Sequence, residues 1–174
     1  MNSSEEDRLP KTSEYAENLA LLREISFFAG LPLEPLKVLA YLCERERFGV
    51  GEYLFRQNDP EGKAFHILSG RAELQREDMG HVRALSDYMQ GAFIGGLSLL
   101  ADTNRLFSLR SVDETVCLTL TRERFTKTLG QFPDIVPKLL VAVVKSVSSW
   151  ESQFFLDHAE ICELCRSRMG VSLI

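Results

Sequence analysis

The chain has 174 residues, 45% of them hydrophobic and 26% charged, with a formal net charge of −5. These are the proportions of an ordinary globular protein, and the length suits one domain with an appendage. The acidic balance argues against a nucleic-acid-binding face, which is normally basic, and no apolar run approaches the ~20 residues that span a bilayer. Neither DNA nor a membrane is therefore expected as a partner. The opening residues, Met1 to Lys11, are polar and acidic and lack the basic-then-apolar order of a secretory signal. A cytoplasmic protein is expected, with Cys43, Cys117, Cys162 and Cys165 as reduced thiols.

In chain order, residues 1–18 read as a loose polar arm. Leu19 to Phe28 carries a short helical pattern with Leu22, Ile25 and Phe28 on one face, broken at Ala29-Gly30-Leu31-Pro32. Pro35 then sits in a predicted first turn, and Leu36, Leu39, Ala40, Leu42 and Cys43 give a second short helix. The charged run Glu44-Arg45-Glu46-Arg47 reads as the solvated end of that helix. From Phe48 to Thr121 the period becomes that of strands, with turns at Asn58–Gly62, Ser69-Gly70 and Asp78-Met79-Gly80. Short strands punctuated every ~8–12 residues predict an antiparallel barrel or double sheet. A short helix from Arg122 to Leu129 follows, then a long one from Lys138 to about Met169. Its apolar positions Val143, Val147, Trp150, Phe154, His158, Ile161 and Cys165 make an irregular heptad seam. The distal half has little chain left to cover it, so a partner is expected there, a second copy above all.

The stretch from Gln90 to Val112 stands apart. A strand end (Ala92, Phe93, Ile94) meets Gly95-Gly96, a short apolar segment Leu97 to Leu100 follows, and Arg105 is expected to begin a new strand. A glycine turn feeding a helix leaves backbone N–H groups free for an anion, and Arg105 can close over it. Two readings of Arg105 stay open: a pocket cation, or a surface arginine paired with Asp102.

Taken together, several segments resemble the cyclic nucleotide-binding domain family over about Leu21 to Trp150. They are L-L-R-E-I-S-F-F-A-G-L, G-E-Y-L-F-R-Q-N-D-P-E-G, A-F-H-I-L-S-G-R-A-E-L, G-A-F-I-G-G-L-S-L-L and Arg105. The resemblance implies a mainly β fold, a jelly-roll double-stranded β-barrel with short N-terminal helices and a long C-terminal helix. It implies that Gly95, Gly96, Leu97, Ser98, Arg105 and Leu106 form the phosphate cassette for a cyclic nucleotide, cAMP or cGMP. The family's ribose-binding glutamate falls at Gly96, where the carboxylate is missing. Losing one hydrogen bond to a charged group costs about 1.5–3 kcal/mol, or about 10- to 150-fold in affinity. Leu106, where the family has small residues, would crowd the phosphate if it pointed inward. Asn58 replaces a turn glycine, a mild change because asparagine tolerates left-handed backbone.

The expected organisation is an arm over residues 1–18, a cyclic nucleotide-binding-like domain over 19–150 and a helical extension over 151–174. His158, Cys162 and Cys165 share one helical face, which leaves open a metal site, a redox or disulfide role, or small seam residues. No Ser-His-Asp order, nucleophile elbow or phosphate-binding loop of an NTPase appears, so the expected role is not enzymatic. It is a regulatory sensor that signals through its C-terminal helix. The alternative is a fold that no longer binds nucleotide and serves as a dimerisation or protein-interaction module.

Overall fold

A computed structural model describes residues 12–60 and 62–157. The elements run α1 (Thr12–Glu24), a 3-10 turn (Ser26–Phe28), α2 (Leu33–Leu42), β1 (Glu44–Phe48), β2 (Tyr53–Phe55), β3 (Lys63–Ser69), β4 (Arg71–Asp78), β5 (His81–Met89) and β6 (Phe93–Ile94). A second 3-10 turn (Gly96–Leu99) precedes β7 (Ser108–Ser111), β8 (Thr115–Thr121), α3 (Arg122–Gln131), a third 3-10 turn (Pro133–Ile135) and α4 (Val136–Asp157). His158, Ile161, Cys162 and Cys165, and with them the expected metal or thiol cluster, lie outside the described residues.

The strands form two four-stranded antiparallel sheets, ordered β1-β8-β3-β6 and β2-β7-β4-β5. Every strand pairs with the one that mirrors it about the β4–β5 turn: β4 with β5, β3 with β6, β2 with β7, β1 with β8. One long hairpin coiled over itself gives that order, which is the jelly-roll topology expected from the sequence. The two sheets enclose Leu54, Phe55, Phe65, Ile67, Ala72, Leu109 and Cys117. The alternate residues of β3 and β8, among them Ala64, Leu118 and Leu120, face the helices and join Leu22, Phe28, Leu39, Phe125 and Leu139 in a second cluster. Strand alternation therefore splits the core in two, barrel interior and helix side.

Three boundaries differ from the sequence reading. First, α1 begins at Thr12 and covers part of the expected arm, and Asn18 is buried with its amide donating to the Ala40 carbonyl (3.5 Å). Second, Glu44–Arg47 is not a helix end but an edge strand, paired with β8 from Glu44 opposite Thr119 to Phe48 opposite Thr115. Its alternating charges are taken up on both faces by Arg124, Glu17, Lys63 and Glu114. Charged side chains are a usual way of blunting an exposed sheet edge. Third, β7 starts at Ser108, so Arg105 lies in the loop before it.

Along α4, Leu139, Ala142 and Val143 are buried, while Leu140, Val141 and Val144 are exposed. Val143, the first position of the seam read from the sequence, packs into the helix-side cluster. The exposed stripe runs one helical step away, through Leu140, Val144 and Val147.

Candidate functional site

The site is built on the turn between β6 and the following 3-10 helix. Gly95 caps that turn in the left-handed region (φ 83°). Its lack of a side chain matters twice: a Cβ there would also stand 2.7 Å from Arg105 Nη1 and 2.8 Å from the Lys63 carbonyl oxygen. The helix after it is one 3-10 turn, too short for much of a dipole. The charge at this site comes from Arg105.

Arg105 is 7% exposed. Its guanidinium lies over the Phe55 ring at 4.3 Å. Nη1 donates to Ser98 Oγ at 2.8 Å, and Nη2 donates to the Lys63 carbonyl. The backbone is fixed as firmly: Asn58 N donates to the Arg105 carbonyl (2.8 Å), and Arg105 N donates to the Asp59 carbonyl (3.0 Å). Asn58 adopts φ 70°, the left-handed conformation its residue type tolerates. The β2–β3 turn therefore delivers Arg105 to the glycine turn. Its reading as a surface residue paired with Asp102 is overturned: Asp102 pairs with Arg122 at 2.8 Å.

Ser98 is held from both sides. Its hydroxyl accepts from Arg105, and its carbonyl accepts from Arg122 Nε at 2.8 Å. Arg122 also donates its backbone N–H to the Gly62 carbonyl (2.7 Å), tying the start of α3 to the β2–β3 turn. Leu99 is fully buried in the helix-side cluster, whereas Leu97 and Leu106 are exposed, at 55% and 68%. Leu106 therefore points away from Arg105's buried surroundings and does not crowd them.

Gly96 has no room for a side chain either. A Cβ there would meet Phe93 Cε1 at 2.8 Å and Phe27 Cδ2 and Cε2 at 2.9 and 3.0 Å. Phe27, Phe28, Phe93 and Phe125 pack with ring centroids 5.1–6.3 Å apart. The missing acid thus has a structural counterpart: aromatic rings occupy the space from which it would start. Half-buried Leu74, Tyr88, Ala92 and Ile94 border the inner cluster. Tyr88 and Ile94 belong to β5 and β6, one edge strand of each sheet.

Sequence reasoning reached Gly95, Gly96, Ser98 and Arg105 but missed Lys63, Phe55, Arg122 and the Phe27–Phe93 wall. Those residues meet the cassette only through tertiary contact, over separations of 24 to 42 residues for the Arg122 and Lys63 bonds. The sole local hint was the aromatic pair at Phe27-Phe28. Among the described residues there is no group of three or more His, Cys, Asp or Glu placed to hold a metal, and no helix long and apolar enough to cross a membrane.

The family model described as cyclic nucleotide-binding domain matches residues 45–132. Among curated proteins, the cAMP-dependent protein kinase regulatory subunit of Emericella nidulans is 34% identical over 119 residues, 67% of this chain and 28% of that protein. Human cGMP-dependent protein kinase 2 is 28% identical over 118 residues, 66% of this chain and 15% of the kinase. The chain therefore spans well under half the length of these relatives. Among solved structures, a cyclic nucleotide-binding-like protein from Brucella abortus aligns with a TM-score of 0.60 at 26% identity, over 66% of this chain and 98% of its own. The catabolite activator protein of Thermus thermophilus aligns with a TM-score of 0.60 at 26% identity, over 78% and 63%.

Proposed function

The chain belongs to the cyclic nucleotide-binding domain family, and from that premise we propose that it is a non-enzymatic sensor that takes a cyclic nucleotide, cAMP or cGMP, into its barrel and signals through α4. The observation that carries this reading is Arg105, a buried guanidinium seated against Gly95 and Ser98. Burying a charged group is costly, and a fold keeps one there only where partners compensate it. A phosphate entering at the Gly95 turn would meet the Arg105 fork, which suits bidentate oxyanion recognition. Ser98 Oγ would be released to the ligand or to water. Leu74, Tyr88 and Ile94 offer an apolar wall for a base.

Gly96 sets the strength of binding. The ribose contact that a carboxylate would supply is absent, so the phosphate and the base carry the affinity. The readout has a physical route as well. Phe27 abuts Gly96, and its neighbour Phe28 shares the helix-side cluster with Leu139 and Val143 of α4. A ligand that shifts the cassette turn biases how α4 seats, as population shift requires. The exposed stripe Leu140, Val144 and Val147 is the surface such a shift would present, to a second copy of the chain or to another protein.

Titration calorimetry with cAMP and cGMP tests the reading on the full chain. Saturable heat that Arg105→Gln abolishes supports it. Absence of heat at millimolar ligand overturns it in favour of a fold retained for protein interaction.

A further inference from the structure

Two arginines of this site meet on one residue. Ser98 accepts from Arg105 Nη1 through its hydroxyl and from Arg122 Nε through its carbonyl, both at 2.8 Å. Each guanidinium nitrogen of Arg122 goes to a different acceptor. Nε serves the 3-10 turn at Ser98, Nη1 the Asp102 carboxylate in the loop after it (2.8 Å), and Nη2 the Pro60 carbonyl in the β2–β3 turn (3.5 Å). Gly62 makes the seat, because a Cβ there would overlap the guanidinium. Gly62 is not among the glycines with positive φ, so close approach and not backbone freedom calls for it. Arg122 is also the first residue of α3, directly after the Thr121 cap. The positive end of a helix disfavours a cation, so the helix itself does not call for arginine there. The contacts of its side chain do.

We propose that Arg122 is the positioning residue that couples the cassette to α3 and, through α3, to α4. The inference rests on the sensor reading above. A ligand that engages the Arg105 fork frees Ser98 Oγ, and Ser98 then loses one of the two bonds that hold it. Its carbonyl stays with Arg122, so a movement of Ser98 reaches the first residue of α3 through one hydrogen bond. Hydrogen-bond networks of this kind carry coupling where both sites bias the same element. From α3 the chain runs through the Pro133–Ile135 turn straight into α4. Phe125 of α3 shares the helix-side cluster with Ile135, Leu139 and Val143, so a tilt of α3 reseats α4. This polar route is separate from the aromatic contact of Phe27 with Gly96.

Trp150, the only tryptophan in the chain, lies on α4 and serves as the reporter. The full chain is titrated with cAMP by calorimetry and by tryptophan emission, and the parent is expected to show saturable heat and a saturable emission change. In Arg122→Ala the affinity stays within about tenfold of the parent's, while the emission change at ligand saturation is at least halved. A merely structural weakening would lower affinity and leave the saturated signal alone. Gly62→Ala keeps the arginine but unseats it, so it is expected to halve the signal in the same way and to add nothing in the Arg122→Ala background. The atoms it obstructs are the far end of a flexible side chain, so this arm stands even if Arg122→Ala fails to fold. A full emission change in either variant overturns the proposal and leaves the sensor reading intact, as does heat in the parent without an emission change. Loss of heat in both variants also overturns it, by placing Arg122 in binding and not in transmission. Absence of heat in the parent overturns the sensor reading, and this proposal with it.

Discussion

Replacing Gly96 by alanine adds one methyl group where two phenylalanine rings already stand. The new carbon would lie 2.8–3.0 Å from Phe93 and Phe27. Comfortable carbon–carbon contact is about 3.5–4.0 Å, so the rings must retreat by about 0.5–1 Å. They cannot do so independently, because both belong to the cluster with Phe28 and Phe125. Overpacking of this kind costs about 1–3 kcal/mol. Alanine recovers about 0.4–1 kcal/mol by restricting the unfolded chain, since no left-handed backbone opposes it here. The net expectation is a loss of about 1–2 kcal/mol, or about 2–8 °C in Tm for a chain of this size. Urea denaturation and calorimetry measure it. Phe27→Leu in the alanine background removes one obstructing ring, and the double-mutant cycle is expected to show a favourable coupling of at least about 0.5 kcal/mol. An alanine variant as stable as the parent would refute the reasoning. The same wall predicts that Gly96→Glu alone does not strengthen cyclic-nucleotide binding, whereas Gly96→Glu with Phe27→Leu does.

Other substitutions probe the rest of the site. Arg105→Ala strips the donors from Ser98 Oγ and the Lys63 carbonyl and is expected to cost about 2–4 kcal/mol in chemical denaturation, with Arg105→Lys restoring little because one ammonium does not reproduce the fork. A cost below about 0.5 kcal/mol would show that Arg105 is not a structural member of the turn. Burial lowers the His66 pKa below its ordinary value of 6.5. Between the two values the unfolded chain binds the proton more readily, so stability is full above about pH 6.5 and falls as pH drops toward the folded value. The slope is at most about 1.4 kcal/mol per pH unit for one proton. The difference in urea midpoint between parent and His66→Phe should therefore change from pH 7 to pH 5, and a constant difference would exclude His66 as the source. On α4, Val144→Asp alters an exposed residue and should leave stability within about 0.5 kcal/mol. Light scattering that shows self-association unchanged by Val144→Asp would remove the Leu140–Val144–Val147 stripe as a contact surface.

Much of this molecule was legible before any fold was known. Turn residues at Asn58–Gly62, Ser69-Gly70 and Met79-Gly80 marked the ends of strands, because few residue types accept the backbone angles such turns need, but that only the last closes a hairpin while the other two cross between the sheets was not legible. Gly95 and Arg105 stood out for similarly local reasons of charge and backbone freedom. What the sequence could not carry was the partnering of these parts. Glu44–Arg47 alternates charge with no apolar face, so periodicity had nothing to read. Its strand character comes from the hydrogen bonds offered by β8, about 70 residues away. Val143 and Leu140 are equally apolar along α4, and only the packing of the Ser26–Phe28 turn decides which is buried. The aromatic wall at Gly96 and the Nδ1 of His66, unpartnered among the described residues, belong to the same class. Residue identity determined which groups could bind or bury a charge, because that is local chemistry. Tertiary structure decided which of them meet, because closeness between distant segments is a property of the packed chain alone.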